Sequence, residues 1–273
     1  MKSNNLNINI NGELLYITFP KLEKTGIVNH LFSTRLGGVS NGQYKSMNLS
    51  FNNGDTRENV LKNYEILCNA IGTDTHNLVL SRQTHTDNIK IVDESHRGTG
   101  IFKDSFSDID GLITGKPKVA LVTQYADCTP LLFCDPVKKI IATSHSGWRG
   151  TVKEIGKKTV EKMVSNFGSN PNDIIACIGP CIGSCCYEVD TPVYNEFKKL
   201  SYLQIDKIFT EKSGGKYMLD LVEANKQILI NAGINQNNMD ISDICTCCNK
   251  NELHSHRATA GKRGNLAAII ELK

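Results

Sequence analysis

The 273-residue chain lacks any run approaching the ~18 consecutive apolar residues of a membrane helix, so a membrane is not an expected partner. Its opening, MKSNNLNINING, is too polar for the apolar core of a secretory signal, which makes the expected location cytoplasmic. A strong charge of one sign is also missing. Lys+Arg 31 against Asp+Glu 28 leaves +3, without the concentrated positive field that following a nucleic-acid backbone requires, and no nucleic-acid partner is expected. Aromatics are scarce at 7%, with one tryptophan. No repeat, low-complexity tract or linker interrupts the pattern, so the expectation is one domain spanning residues 1–273. The ten cysteines amount to about 4% of the chain, well below a disulfide-built scaffold, so in a reducing compartment they serve as core, metal or catalytic thiols. Seven of them fall between Cys177 and Cys248.

What is present is an alternation of short strands and amphipathic helices. Leu6, Ile8 and Ile10, an Asn11-Gly12 turn, then Leu15 and Ile17 predict an opening hairpin. Asp55 followed by Glu58 starts a predicted helix near 56–71, carried by Val60, Leu61, Tyr64, Leu67, Cys68 and Ile71. Short apolar runs at 78–82, 88–93, 119–125, 131–134 and 139–144, broken by turns at Asp110-Gly111, Pro117 and Asp135-Pro136, read as strands. A helical face runs from Val152 to Phe167, ended by Gly168, and the segment IIACIG that follows reads as a further strand. Helical spacing returns near 191–200 and 217–232, and strands close the chain near 241–246 and 265–272. Strands outnumber helices about two to one, which favours two sheets with outer helices over one doubly wound sheet.

Three potential metal ligands share one setting, just past a predicted strand: His85 after LVLSRQ, Cys128 after VALVTQYA and His145 after KIIATS. If those strands neighbour one another in a single sheet, the side chains converge into a His/Cys/His set, and three protein ligands with a fourth position open is the catalytic zinc arrangement. The spacing alone leaves the plainer alternative open, namely two loop histidines and a buried cysteine. SHSGWRGTV runs from a strand through Gly147 and Gly150 into a helix expected near Thr151, where backbone N–H groups and Arg149 could hold an anion; equally, Trp148 could pack and Arg149 pair at the surface. Ser33-Thr34-Arg35 beside Gly37-Gly38, and Arg257 near Lys262-Arg263, could line an anionic site or simply be solvated. Asp127 reads as a turn residue or as a carboxylate behind a metal ligand. Cys181, Cys185, Cys186, Cys245, Cys247 and Cys248 have C-x3-C-C and C-x-C-C spacings that fit the usual zinc ribbons poorly.

Taken in order, the blocks HLFSTRLGGVS, MNLSFNNGD, SRQTH, DGLIT, ADCTPLLFCD, SHSGWRG, IGPCIGSCCYEV, CTCC and SHR resemble the YfiH-type family of purine nucleoside phosphorylases and adenosine deaminases, the laccase-domain proteins also known as multicopper polyphenol oxidases. The resemblance implies an α/β (α+β) fold, a single-domain four-layer α/β/β/α sandwich with mixed sheets. It implies a metal held by His85, Cys128 and His145, namely Zn(2+), with Cu(2+) as the alternative. Cys128, His145 and Arg149 become catalytic candidates, and Arg35, Asn48 and Arg257 substrate-binding ones. The implied partners are purine nucleosides and inorganic phosphate, the implied reactions phosphorolysis to free base and pentose 1-phosphate and deamination of adenosine. This chain departs from the family near its C-terminus, where ELHSHRATAGKRGN replaces an aromatic-rich stretch. It also lacks the H-x-E and P-C-x-x-C pair of the zinc nucleobase deaminases.

Rival readings remain at this stage. Cys128 beside His145 or His85 could be the nucleophile of a hydrolase, one version of which edits peptidoglycan precursors as some relatives do. Copper oxidase chemistry needs histidines for several coppers, and the chain has seven in all. Glu188 and Asp127 are candidates for proton transfer.

Overall fold

A computed structural model describes residues 1–273. The chain opens with strands β1 (Asn7–Asn11) and β2 (Leu14–Thr18), helix α1 (Pro20–Thr25) and β3 (Val28–Ser33). Helix α2 (Arg57–Ile71) leads to β4 (Leu78–Arg82), β5 (Ile89–Ile91), β6 (Phe106–Ser107), β7 (Gly111–Thr114), β8 (Ala120–Tyr125), β9 (Thr129–Asp135) and β10 (Ile140–Ser146). Next come helices α3 (Trp148–Val152) and α4 (Ile155–Phe167), strands β11 (Ile175–Ile178) and β12 (Glu188–Asp190), and helices α5 (Thr191–Lys198) and α6 (Ile205–Ile208). The chain ends with β13 (Phe209–Lys212), β14 (Lys216–Leu219), α7 (Leu221–Asn231), β15 (Met239–Ile241), α8 (His256–Thr259) and β16 (Leu266–Leu272). No helix is long and apolar enough to cross a membrane.

The strands form two large mixed sheets, β1-β2-β3-β16-β8-β4-β6 and β15-β11-β9-β10-β7-β5, and a small third sheet, β12-β14-β13. Side-chain alternation along single strands shows how the layers stack. In β8, Leu121 and Tyr125 point into a core shared with Leu132, Cys134 and Ile141 of the second sheet, while Ala120 and Val122 point outward onto Tyr64, Leu67 and Cys68 of α2. In β10, Ile141 faces the first sheet, whereas Ile140 and Ala142 pack with Val160 and Met163 of α4 and Leu229 of α7. The order is therefore helix, sheet, sheet, helix, as expected from the family blocks. Between the sheets the Thr123 and Thr143 hydroxyls are hydrogen-bonded at 2.6 Å, and the Tyr125 hydroxyl donates to the Ser144 carbonyl at 3.1 Å.

Several predicted boundaries shift for local reasons. The cap of α2 is Thr56, whose side chain accepts from the Asn59 N–H at 3.2 Å, and Asp55 braces it through the Thr56 N–H at 2.8 Å. The helical face expected over 152–167 is two helices, because Glu154 sits in the left-handed region at φ 59 and breaks the ladder. The run at 217–232 is β14 followed by α7. Asp220 restarts the chain as a helix by accepting from the Glu223 N–H at 2.9 Å. The expected strand at 241–246 is only the end of β15, and residues 242–246 are loop.

Candidate functional site

The predicted ligands meet where the two large sheets face one another. β4 and β8 are neighbours in the first sheet, and the chain beyond their ends carries His85 and Cys128. His145, placed by sequence at the edge of that same sheet, instead lies within β10 of the second sheet. Its position in the strand explains the convergence. Residues 141, 143 and 145 share the face turned toward the first sheet, while 140 and 142 face α4. In the β9–β10 pair Thr129 lies opposite Ser146 and Pro130 opposite His145, so Cys128, one residue earlier, falls beside Gly147. One donor atom from each of His85, Cys128 and His145 lies within 4.8 Å of the other two. The two imidazole rings are 4.9 Å apart, tilted by 59°.

Asp110, which sequence reading treated only as part of a turn, organises this cluster. Its buried carboxylate accepts the backbone N–H groups of Thr84 at 3.1 Å, His85 at 3.1 Å and Thr86 at 2.9 Å, and the Thr86 hydroxyl at 2.8 Å. These bonds fix the 84–86 loop, in which His85 adopts a left-handed φ of 63. Such a conformation costs a non-glycine residue about 1 kcal/mol or more, which charge-assisted hydrogen bonds offset. Asp110 also accepts Nδ1–H of His145 at 2.8 Å, and its carbonyl accepts the His145 backbone N–H at 2.7 Å. With Nδ1 committed, Nε2 of His145 is left as the donor atom for the cluster.

The electrostatics follow from this packing. Burial alone would raise Asp110, but the hydrogen bond and charge of His145, with the bonds from Thr86, hold it down at about 2. Burial would also raise the Cys128 thiol, yet the positive charge of His145 and hydrogen bonds from both imidazoles bring it down to about 6. Burial lowers His145, and the Cys128 thiolate and Asp110 overcome this, taking it up to about 9. Without a metal these shifts favour a thiolate beside an imidazolium, and a bound cation would take the place of the His145 proton. In metal-free protein, alkylation of Cys128 by iodoacetamide, followed on its own peptide by mass spectrometry, is expected to fall as pH drops through about 6. His145→Ala removes the counter-charge, so the midpoint rises and alkylation at pH 7 slows by about tenfold or more. A wild-type midpoint near that of an ordinary thiol would show that the pair does not form.

The residues also fit a metal ion sterically. Gly147 has no side chain where one would intrude: an added Cβ would lie 2.7 Å from Nδ1 of His85 and 2.9 Å from Sγ of Cys128. Two imidazoles and a thiolate around a glycine-lined space are a donor set suited to zinc or copper. The other five histidines do not join it. His30 accepts the Phe19 N–H, His76 and His96 pair with Asp74 and Asp93, His254 accepts the Gly264 N–H, and His256 begins α8.

Above the cluster opens a cavity of about 600 Å³, lined by Arg82, Arg149, Arg257 and Arg263 against the single carboxylate of Asp127. Arg149 lies over the Trp148 ring at 4.3 Å, and Arg257 over the Tyr187 ring at 5.2 Å. Asp127 is committed elsewhere, accepting the Thr246 hydroxyl at 2.6 Å and the Arg257 backbone N–H at 2.7 Å. Glu188 pairs with Lys212 at 2.6 Å, outside the cavity lining. Arg35 and Asn48 are not brought into the lining either. The Arg35 guanidinium donates to the carbonyls of Lys45 and Lys250, both at 2.8 Å. Buried Asn48 accepts from the backbone N–H of Ser50 at 3.1 Å and of Asn265 at 3.0 Å, so it braces two lining residues from behind. The helix at the expected anion site is α3, which begins at Trp148 and is only five residues long, so its dipole is weak. Arg82 carried no signal in the sequence beyond its place within the SRQTH block.

Comparison with known proteins finds relatives over most of the chain. Residues 29–273 match the family model described as multi-copper polyphenol oxidoreductase laccase. The chain is 35% identical over 244 residues to purine nucleoside phosphorylase YlmD of Bacillus subtilis, covering 89% of this chain and 87% of that protein. It is 34% identical over 229 residues to adenosine deaminase RL5 from an unknown prokaryotic organism, covering 83% and 87%. Among solved structures, the Bacillus licheniformis protein YfiH superposes with a TM-score of 0.93 at 35% identity, covering 97% of this chain and 99% of that one.

Proposed function

Since the chain belongs to the multi-copper polyphenol oxidoreductase laccase family and has relatives named for nucleoside chemistry, we propose that it is a zinc-dependent purine nucleoside phosphorylase with adenosine deaminase activity. The observation that carries this reading is the His85, Cys128 and His145 cluster beneath a cavity with four arginines and one carboxylate. A cavity of that size suits a nucleoside, and its basic lining suits inorganic phosphate. The donor set counts against a multicopper oxidase: only two of the seven histidines converge, enough for one metal ion.

His85, Cys128 and His145 would hold the ion, which supplies Lewis acidity and activates water at neutral pH. Arg149 stacks on Trp148 with its N–H groups available to phosphate. Phosphate held there attacks the ribose anomeric carbon as the bond to the purine nitrogen breaks, giving free base and ribose 1-phosphate. Arg257 is oriented by the carbonyls of Cys186 and Glu188 at 3.2 and 3.1 Å, which fixes it over Tyr187 at the cavity wall as a substrate-binding group. Burial pushes the Tyr187 phenol well up, so it remains a neutral donor.

Chromatography of products from adenosine, with and without inorganic phosphate, tests the assignment. Adenine is expected only with phosphate present, and inosine in both tubes. Arg149→Ala is expected to raise the KM for phosphate about tenfold or more while affecting inosine formation much less, as removal of a charge-assisted contact to one substrate does. An unchanged phosphate KM would remove Arg149 from the phosphate site. The second reading is favoured by one specific observation, the Cys128 sulfur within 4.8 Å of a nitrogen of each imidazole, an arrangement that activates a cysteine nucleophile. Absence of any nucleoside conversion would select it.

A further inference from the structure

We infer that Cys185, Cys186, Cys245 and Cys248 form a second metal centre, a closed four-thiolate zinc site that is structural rather than catalytic. Their Sγ atoms all lie within 4.8 Å of one another, and Cys248 Sγ is 3.5 Å from that of Cys185 and 3.4 Å from that of Cys186. A Zn–S bond of about 2.3 Å puts tetrahedral sulfur neighbours about 3.8 Å apart, so these separations have the scale of one ion's coordination shell. None of the four is in a disulfide. Two adjacent cysteines both reaching Cys248 is convergence on a point, whereas disulfides would sort the sulfurs into pairs.

The local backbone supports thiolate character. The Gly183 N–H donates to Cys245 Sγ at 3.2 Å, a hydrogen bond that stabilises a coordinated thiolate. The spacing that fitted zinc ribbons poorly becomes intelligible once the participants are known. Cys247 is left out, so Cys245-x-x-Cys248 is a standard ligand knuckle, and it faces the vicinal pair Cys185-Cys186 from more than 55 residues away. Cys181 is also left out, buried against Ile182 in the core. Four thiolates around a divalent ion carry two excess negative charges. The guanidinium of Arg257 lies beside them, its Nη1 donating to the Cys186 carbonyl at 3.2 Å.

The position gives the centre its role. One pair of ligands immediately precedes Tyr187, and the other leads into the segment carrying His256 and Arg257, all three on the cavity wall. Two loops with little regular structure are thereby tied into one wall. Because this donor set shares no residue with the first, it stands or falls independently of the function proposed above.

The full chain, loaded with zinc and freed of excess ion, is expected to hold a second equivalent of metal that survives in Cys128→Ala and disappears in the double variant Cys186→Ser, Cys248→Ser. Loaded with cobalt, the wild-type protein should show the intense thiolate-to-metal band of a four-sulfur site, also retained in Cys128→Ala. Should the double variant not fold, alkylation mapping on the wild-type chain decides. Cys185 and Cys248 are exposed, yet in the zinc-loaded chain they are expected to react at least tenfold more slowly than after chelation. Equal alkylation rates with and without zinc, equal metal content in the double variant, or a disulfide among the four in the freshly reduced, zinc-loaded chain would overturn the inference.

Discussion

Replacing Cys128 with alanine is expected to remove the metal from the cavity site and to abolish both nucleoside reactions, a loss well beyond the roughly 10–100-fold that follows when only a ligand's hydrogen-bond partner is lost. The reasoning is geometric. His85 and His145 reach the site from different sheets, and Cys128 is the one ligand with an anionic donor, lying within 4.8 Å of both imidazole donor atoms. Without it, two neutral imidazoles face a divalent ion with no charge to offset it. In the metal-free protein His145 also loses the thiolate that raises it to about 9, so burial pushes it back toward the neutral form. The change of volume is small, and the flanking Asp127 and Thr129 keep their backbone anchors, so a cooperative thermal transition near that of the wild type is expected.

Alanine alone would abolish activity under either reading of Cys128, and aspartate separates them. A carboxylate can ligate zinc through oxygen, whereas it cannot act as a thiolate nucleophile of comparable strength. Cys128→Asp is therefore expected to retain the cavity metal and a measurable fraction of phosphorolysis. Metal content read alongside product chromatography gives the answer. Full turnover in a metal-free Cys128→Ala protein would sink the metal assignment. A Cys128→Asp protein that holds its metal but makes no product, together with iodoacetamide inactivation of the zinc-loaded wild type, would transfer the chemistry to the thiolate.

The convergence of His85, Cys128 and His145 was legible in sequence because each follows or ends an apolar run of strand length, and strand ends are where α/β folds gather their sites. The sheet each strand joins was not legible, since that is a matter of pairing between segments distant in the chain. His145 illustrates this: its contact with Cys128 follows from the β9–β10 register, in which Ser146 faces Thr129. Asp110 was hidden for the same reason. In sequence it is half of an Asp-Gly turn, and its function rests on bonds to residues 24 to 35 positions away. Arg35 and Asn48 sit in family blocks, yet their side chains are spent on carbonyls and backbone N–H groups that hold the wall together. A motif records that a residue matters without recording which way it points. The cysteine spacing was read over six thiols together, whereas four converge.

Gly147→Ala is expected to empty the cavity site while leaving the fold intact. Glycine is needed at this position for space, and its backbone would suit any residue: φ −71 and ψ 170 are ordinary extended values. An alanine there adds no backbone strain and restricts the unfolded chain, which by itself is worth about 0.4–1 kcal/mol of stability. The cost falls on the ligands. The added Cβ would sit 2.7 Å from Nδ1 of His85 and 2.9 Å from Sγ of Cys128, both closer than packed atoms tolerate. His85 is the more mobile of the two, being exposed on a loop, but the Asp110 carboxylate holds that loop through three backbone N–H groups. Relief therefore displaces the two donor atoms from each other, and zinc affinity at this site is expected to fall about a hundredfold or more, with phosphorolysis and deamination lost in parallel. Because the four-cysteine centre lies on other loops, total zinc should drop by one equivalent and no further, and the thermal transition should stay at or slightly above that of the wild type. Wild-type zinc content and turnover in Gly147→Ala would mean that His85 and Cys128 do not close on a common ion beside this glycine, and the site would have to be rebuilt around His145 and Cys128 alone.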